Sequence, residues 1–75
     1  MSQRPLDIIN QSLNNTIIVA LKNNVEIRGI LLGYDQHLNL VLKDADEIVD
    51  GKIEKSIGIA VIRGDNIIYI SPAEV

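Results

Sequence analysis

Fourteen isoleucines and six valines sit among 75 residues, and that density of β-branched side chains narrows the fold before any motif is read. Branching at Cβ restricts χ1 against the preceding turn of a helix but suits the pleated surface of a strand. A mostly β chain this short has a difficulty. A domain of its size buries roughly 60% of the surface that its unfolded chain exposes, so its stability is marginal. The usual staples are missing. There is no cysteine, and His37 is the only imidazole, so neither a disulfide nor a structural zinc is expected. Association with further copies is the remaining way to bury apolar surface.

The pattern along the chain predicts a single domain over residues 1–75, with a helix at 4–13 and five antiparallel strands over 16–70. Pro5 suits the first helical position, Asp7 the positive end of the helix dipole, and Leu6, Ile9 and Leu13 form one stripe. Asn14-Asn15 then stops the helix. The strands read as Thr16–Leu21, Val25–Asp35, Leu38–Glu47, Lys52–Ile62 and Asn66–Ile70, with Asp50-Gly51 as a hairpin turn. At Gly29 the pattern changes from alternation to Ile30, Leu31 and Leu32 in succession. That change predicts one strand bent from a half-exposed edge into a doubly buried corner, as closure into a small open barrel requires.

The last strand is apolar almost throughout and must be covered on both faces. As a terminal strand it is also an edge with unpaired backbone groups. Pairing with the edge of another copy would meet both demands. If the two paired edges differ, the contact is head-to-tail, and copies add up to a ring or a filament.

Charge and motif content exclude several functions. Ten acidic residues against seven basic give a net charge of -3, and no Lys/Arg cluster exists, which argues against a phosphate-driven nucleic-acid binder. No apolar run approaches the roughly 18 residues of a membrane span. The N-terminus lacks the profile of a signal peptide, so a cytoplasmic protein with no membrane partner is expected. Asp35 and His37 resemble an acid–base pair, but no nucleophile or electrophile-stabilising group accompanies them. No enzyme chemistry and no cofactor are therefore expected. The acidic stretch Asp44, Asp46, Glu47 and Asp50 lacks the spacing of a calcium loop, and no metal site is predicted.

Two polar segments wedged between apolar runs remain: Tyr34–Asn39 and Arg63–Asp65. An antiparallel order can place both connections at one end of the barrel. Their inventory suits a flat, uncharged heterocycle. Imidazole and guanidinium are planar and can sandwich a base, while an asparagine amide offers an acceptor beside a donor. An aspartate could hold the asparagine or arginine in place. Alternatively, Asp35, Asn39 and Asp65 simply satisfy turn backbones.

These segments also carry a family resemblance. Gly29-x-Leu31-x-x-x-Asp35-x-x-Leu38-Asn39-x-x-Leu42 resembles the first Sm motif, and Ile62-Arg63-Gly64-Asp65 the second. With the preceding Arg4-Pro5-Leu6-Asp7 helix, the chain resembles the Sm-like (LSm) family, in particular its archaeal homo-oligomeric type. Leu38, where methionine is common, is a volume-conserving departure.

The resemblance implies a strongly bent five-stranded barrel. Its fourth strand, about Ile57–Ile62, would pair with the fifth strand of a neighbour, closing a ring usually of seven copies. It also implies uridine-rich single-stranded RNA at the inner pore. A uracil would stack between His37 and Arg63, and Asn39 would read its edge. Asp65 would orient Asn39 or offer its backbone N–H, Gly64 would permit close approach, and Asp35 would be structural. Arg4 and Tyr34 could add a second stacking surface outside the pore, unless Tyr34 simply packs on the helix. RNA-processing proteins are further expected partners, and a ring that mainly scaffolds protein partners is the alternative.

Overall fold

Pro5 opens the helix α1, Pro5–Gln11, directly after Arg4, whose extended backbone (φ -83, ψ 153) and carbonyl start the first turn. The structure, a computed structural model, describes residues 4–73. α1 is shorter than the 4–13 expected. Ser12 ends it with its N–H on the Ile9 carbonyl, and Asn14 takes a left-handed φ of 67 that turns the chain away. Asn14 N–H then donates to Leu31 O at 2.8 Å, and Leu31 N–H to Asn15 O at 3.1 Å. α1 thus caps the sheet with Ile9 in the core, while Leu6 and Ile8 stay exposed. No helix among the described residues is long and apolar enough to cross a membrane.

Five strands follow: β1 Thr16–Leu21, β2 Val25–Tyr34, β3 Leu40–Val49, β4 Lys52–Ile62 and β5 Ile67–Pro72. They form one antiparallel sheet in the order β4-β3-β2-β1-β5. The five expected strands are all present, with shifted ends. β3 begins at Leu40 rather than Leu38 because Leu38 is left-handed (φ 62), and it runs on to Val49, paired with Lys52. β5 begins at Ile67 because Gly64–Asn66 form a tight helical turn. It continues through Ser71 and Pro72, since Pro72 pairs with Ile17 and Ala73 N–H donates to Thr16 O.

The bend lies where Gly29 was expected to make it, and three strands share in it. Arg28 pairs with Asp46 but Ile30 with Lys43, and Leu42 pairs with Ala60 but Ala45 with Gly58. β3 therefore carries one surplus residue opposite both neighbours, with Asp44 left-handed at φ 51 and Gly58 at φ 85. Such bulges bend and twist a strand. Gly29 is needed for space: a Cβ there would stand 3.0 Å from Lys43 O and 3.2 Å from Ala45 Cα.

Ile17, Val19, Leu31, Leu40 and Leu42 are fully buried on the inner side of the curve. The doubly buried corner is only partly realised. Leu32 is the surplus residue between the Leu31–Leu42 and Gly33–Val41 pairs, and it remains exposed. A bulged residue leaves the alternation that would have turned it inward.

Among the described residues, no further strand pairs with the two edges of the sheet. β4 and β5 each pair on one side only. On β4, Ile59 is 61% and Val61 71% exposed, and on β5, Ile68 is 63% and Tyr69 53% exposed. An apolar groove between α1 and β5, lined by Ile8, Ile68 and Pro72, continues the β5 surface.

Candidate nucleic-acid interface

The connections β2–β3 and β4–β5 meet at one end of the sheet. In the first, Asp35 N–H donates to Asn39 O at 3.1 Å, and Leu38 N–H to Asp35 O at 3.0 Å. The Asp35 carboxylate completes the turn: its Oδ1 accepts from the backbone N–H of His37 (2.9 Å) and of Asn39 (3.0 Å). This is the local bonding for which aspartate is favoured in turns. Leu38 packs its side chain against the core, and so anchors the turn between exposed His37 and half-buried Asn39. Its left-handed backbone costs about 1–2 kcal/mol for a leucine, offset by that burial and by the three bonds around it.

Asn39 is held at both ends of its amide. Nδ2 donates to Asp35 Oδ2 at 2.9 Å, and Oδ1 accepts from the Gly64 backbone N–H at 2.9 Å. Among the described residues, one N–H and one lone pair of the amide have no partner. The orienting of Asn39, one of the two roles expected of Asp65, thus falls to the Asp35 carboxylate and the Gly64 N–H. Asp65 lies beyond that contact and pairs instead with Arg63, Nη2 to Oδ2 at 3.7 Å. Both members of that pair are exposed.

Gly64 does permit close approach, but of the other turn. A side chain there would overlap the His37 carbonyl oxygen and stand 3.0 Å from the Leu38 carbonyl. The structure therefore brings His37, Asn39, Arg63, Gly64 and Asp65 to one pair of touching turns. Hydrogen bonds from Asn39, first its side chain and then its backbone, hold the Asp35 carboxyl below its ordinary value, assisted by His37. At neutral pH it is an ionised acceptor.

Tyr34 ends β2 next to the first turn, but its hydroxyl engages α1, and Arg4 immediately precedes that helix. Tyr34 Oη donates to Asn10 Oδ1 of α1 at 3.0 Å, the geometry of a tyrosine docked on the helix. Arg4, before α1, reaches Asp7 at 4.0 Å through exposed groups. Among the described residues, no three His, Asp or Glu side chains are grouped to hold a metal ion. Residue types alone allow an aspartate to hold the asparagine or the arginine without choosing between the two; Asp35 holds Asn39 and Asp65 pairs with Arg63.

A helix-capped, bent, open sheet whose two loop motifs are joined through one asparagine defines a small β-barrel of the Sm class. The chain matches the LSM domain over residues 7–72 and belongs to that family. It is 57% identical to an snRNP Sm-like protein of Methanococcoides burtonii over 72 residues, spanning 96% of this chain and 100% of the relative. Among solved structures, it is similar to the Pyrococcus abyssi Sm protein in complex with a uridine heptamer. The two are 54% identical with a TM-score of 0.91, over 95% of this chain and 100% of that one. The P. aerophilum SmAP1 heptamer is 39% identical with a TM-score of 0.90, over the whole of both chains.

Proposed function

We propose that this protein closes into a ring of seven copies and binds uridine-rich single-stranded RNA at the inner rim, one base per subunit. The observation that carries this reading is Asn39, fixed between Asp35 and Gly64 with one donor and one acceptor left over. That pair complements N3–H and an adjacent carbonyl of uracil. His37 and Arg63, exposed on the two touching turns, supply the planar groups for stacking. The relatives support the assembly: one is a heptamer, and another was solved with a uridine heptamer. The unpaired β4 and β5 edges, rich in exposed Ile and Val, are the surfaces that would join.

Repetition reconciles this reading with a subunit charge of -3. Stacking of one base contributes about 1–3 kcal/mol. Once the first base is bound, the remaining contacts are intramolecular, so weak sites add up to tight binding. Arg63 repeated around a pore makes a local positive ring on an acidic particle. Such a ring would act in the cytoplasm as an RNA chaperone or processing scaffold with no chemical step of its own.

Fluorescence anisotropy with oligo-U and oligo-A tests the reading. Oligo-U should bind more tightly, and Asn39→Ala should weaken it by tenfold or more, since a bidentate base contact is worth about 1–3 kcal/mol. Equal binding of both oligomers, or an Asn39→Ala ring of undiminished affinity, refutes it. A second stacking surface at Arg4 and Tyr34 is tested with long RNA, and unchanged affinity of the double alanine variant removes it.

A further inference from the structure

Asn39 alone does not make a uracil site. An asparagine amide can rotate by half a turn and exchange its donor and acceptor. In one fixed pose between two stacking groups, uracil presents N3–H beside the O4 carbonyl. Cytosine presents a bare N3 beside an amino group, the reverse pattern. A freely turning amide would pair with either base.

We infer that Asp35 is a positioning residue that sets the choice of uracil over cytosine, by fixing which end of the Asn39 amide faces the base. The inference rests on the base-reading role proposed above for Asn39. The geometry leaves one orientation. Nδ2 meets Asp35 Oδ2, a group that only accepts while ionised, and Oδ1 meets Gly64 N–H, a group that only donates. Turning the amide would set its oxygen against a carboxylate and its NH2 against an N–H, losing two hydrogen bonds and adding two repulsions. The carboxylate itself cannot swing away, because its other oxygen holds the backbone N–H groups of His37 and Asn39. With the held orientation, Oδ1 takes the N3–H of uracil and the free N–H of Nδ2 reaches a ring carbonyl. Cytosine in that pose meets two clashes.

Asp35 is thus more than a turn former. Its Oδ1 builds the turn and its Oδ2 enforces the base choice. Two substitutions separate these duties. Asp35→Asn presents an NH2 toward Nδ2 and removes the preference for the held orientation. Asp35→Ser keeps a short oxygen able to cap the turn but has nothing to reach the Asn39 side chain.

The test is an NMR titration of the assembled ring with uridine 5′-monophosphate and cytidine 5′-monophosphate, which reads single pockets without avidity. Assembly of each variant is checked by native mass. The unmodified ring should prefer the uridine nucleotide. In either variant the uridine-to-cytidine affinity ratio should fall about tenfold, the effect of one hydrogen bond to a charged group. A purely structural Asp35 would weaken both nucleotides alike and leave the ratio unchanged, which overturns the inference while leaving the role of Asn39 intact. Equal affinities in the unmodified ring would overturn the base-reading role as well. If the asparagine variant fails to assemble, the serine variant decides.

Discussion

Placing a methyl group on Gly64 is the sharpest test of how the two turns make one site. Gly64 is not in the left-handed region, so alanine is acceptable to its own backbone. The obstacle is space. The added carbon would overlap the His37 carbonyl oxygen and come within 3.0 Å of the Leu38 carbonyl carbon and oxygen. These are backbone atoms of a turn already pinned by Asp35, so no side chain can rotate aside. The turns must separate, at an overpacking cost of about 1–3 kcal/mol. Separation also lengthens the 2.9 Å bond from Gly64 N–H to Asn39 Oδ1, a further loss of about 1 kcal/mol. The β4 and β5 edges are untouched, so Gly64→Ala should still assemble. Its affinity for oligo-U should fall by about tenfold per pocket, the equivalent of about 1.4 kcal/mol, and more steeply for an oligomer spanning several pockets. Anisotropy reads the affinity, thermal unfolding the stability, and native mass the assembly. An alanine ring with unaltered affinity and unfolding temperature would show that the contact between the turns does not shape the site.

Other outcomes follow from the edges, the helix and the carboxylate. Val61→Asp puts a charge on the most exposed apolar position of β4, and burying it unpaired costs several kcal/mol per seam. Native mass should report species near the 8.3 kDa subunit, and an intact ring would place the seam elsewhere. Tyr34→Phe removes the bond to Asn10 and should lower stability by about 0.5–1.5 kcal/mol in chemical denaturation. A loss of oligo-U affinity as large as that of Asn39→Ala would give Tyr34 a direct role in binding. Asp35, whose carboxyl is held below its ordinary value of 3.8, supports the turn fully at pH values well above 3.8. That support is lost as the pH falls through the lower folded value. Carboxyl NMR should give Asp35 a titration midpoint below 3.8, and a midpoint at or above it would contradict the bonding described.

Much of this was legible in the residues. Apolar runs separated by turn residues mark all five strands, and Gly29 marks the bend. The uncovered character of the last strand follows from its lack of alternation. What escaped depends on backbone conformations that side chains do not announce. A leucine is an unexpected residue for φ 62, yet Leu38 adopts it, and that one conformation delays β3 to Leu40. It also accompanies the turn in which Asp35, rather than Asp65, reaches the Asn39 amide. Ser71-Pro72 reads as a stop, but β5 is an edge, so the missing N–H of Pro72 falls on the unpaired side and the strand continues. Leu32 and Asp44 were hidden for a related reason, since a bulge shifts the alternation without changing composition.

The shared bend through Gly29, Asp44 and Gly58 has a consequence for counting copies. A closed ring of seven needs a rotation of about 51° between neighbours, and six would need about 60°. An angular error at one seam recurs at every seam, so a discrepancy of about 1° becomes a gap of about 7° at the last joint. The curvature that brings the two turns together within a subunit also sets the angle between its edges. Closure is therefore a far more exacting gauge of backbone shape than the stability of any single barrel.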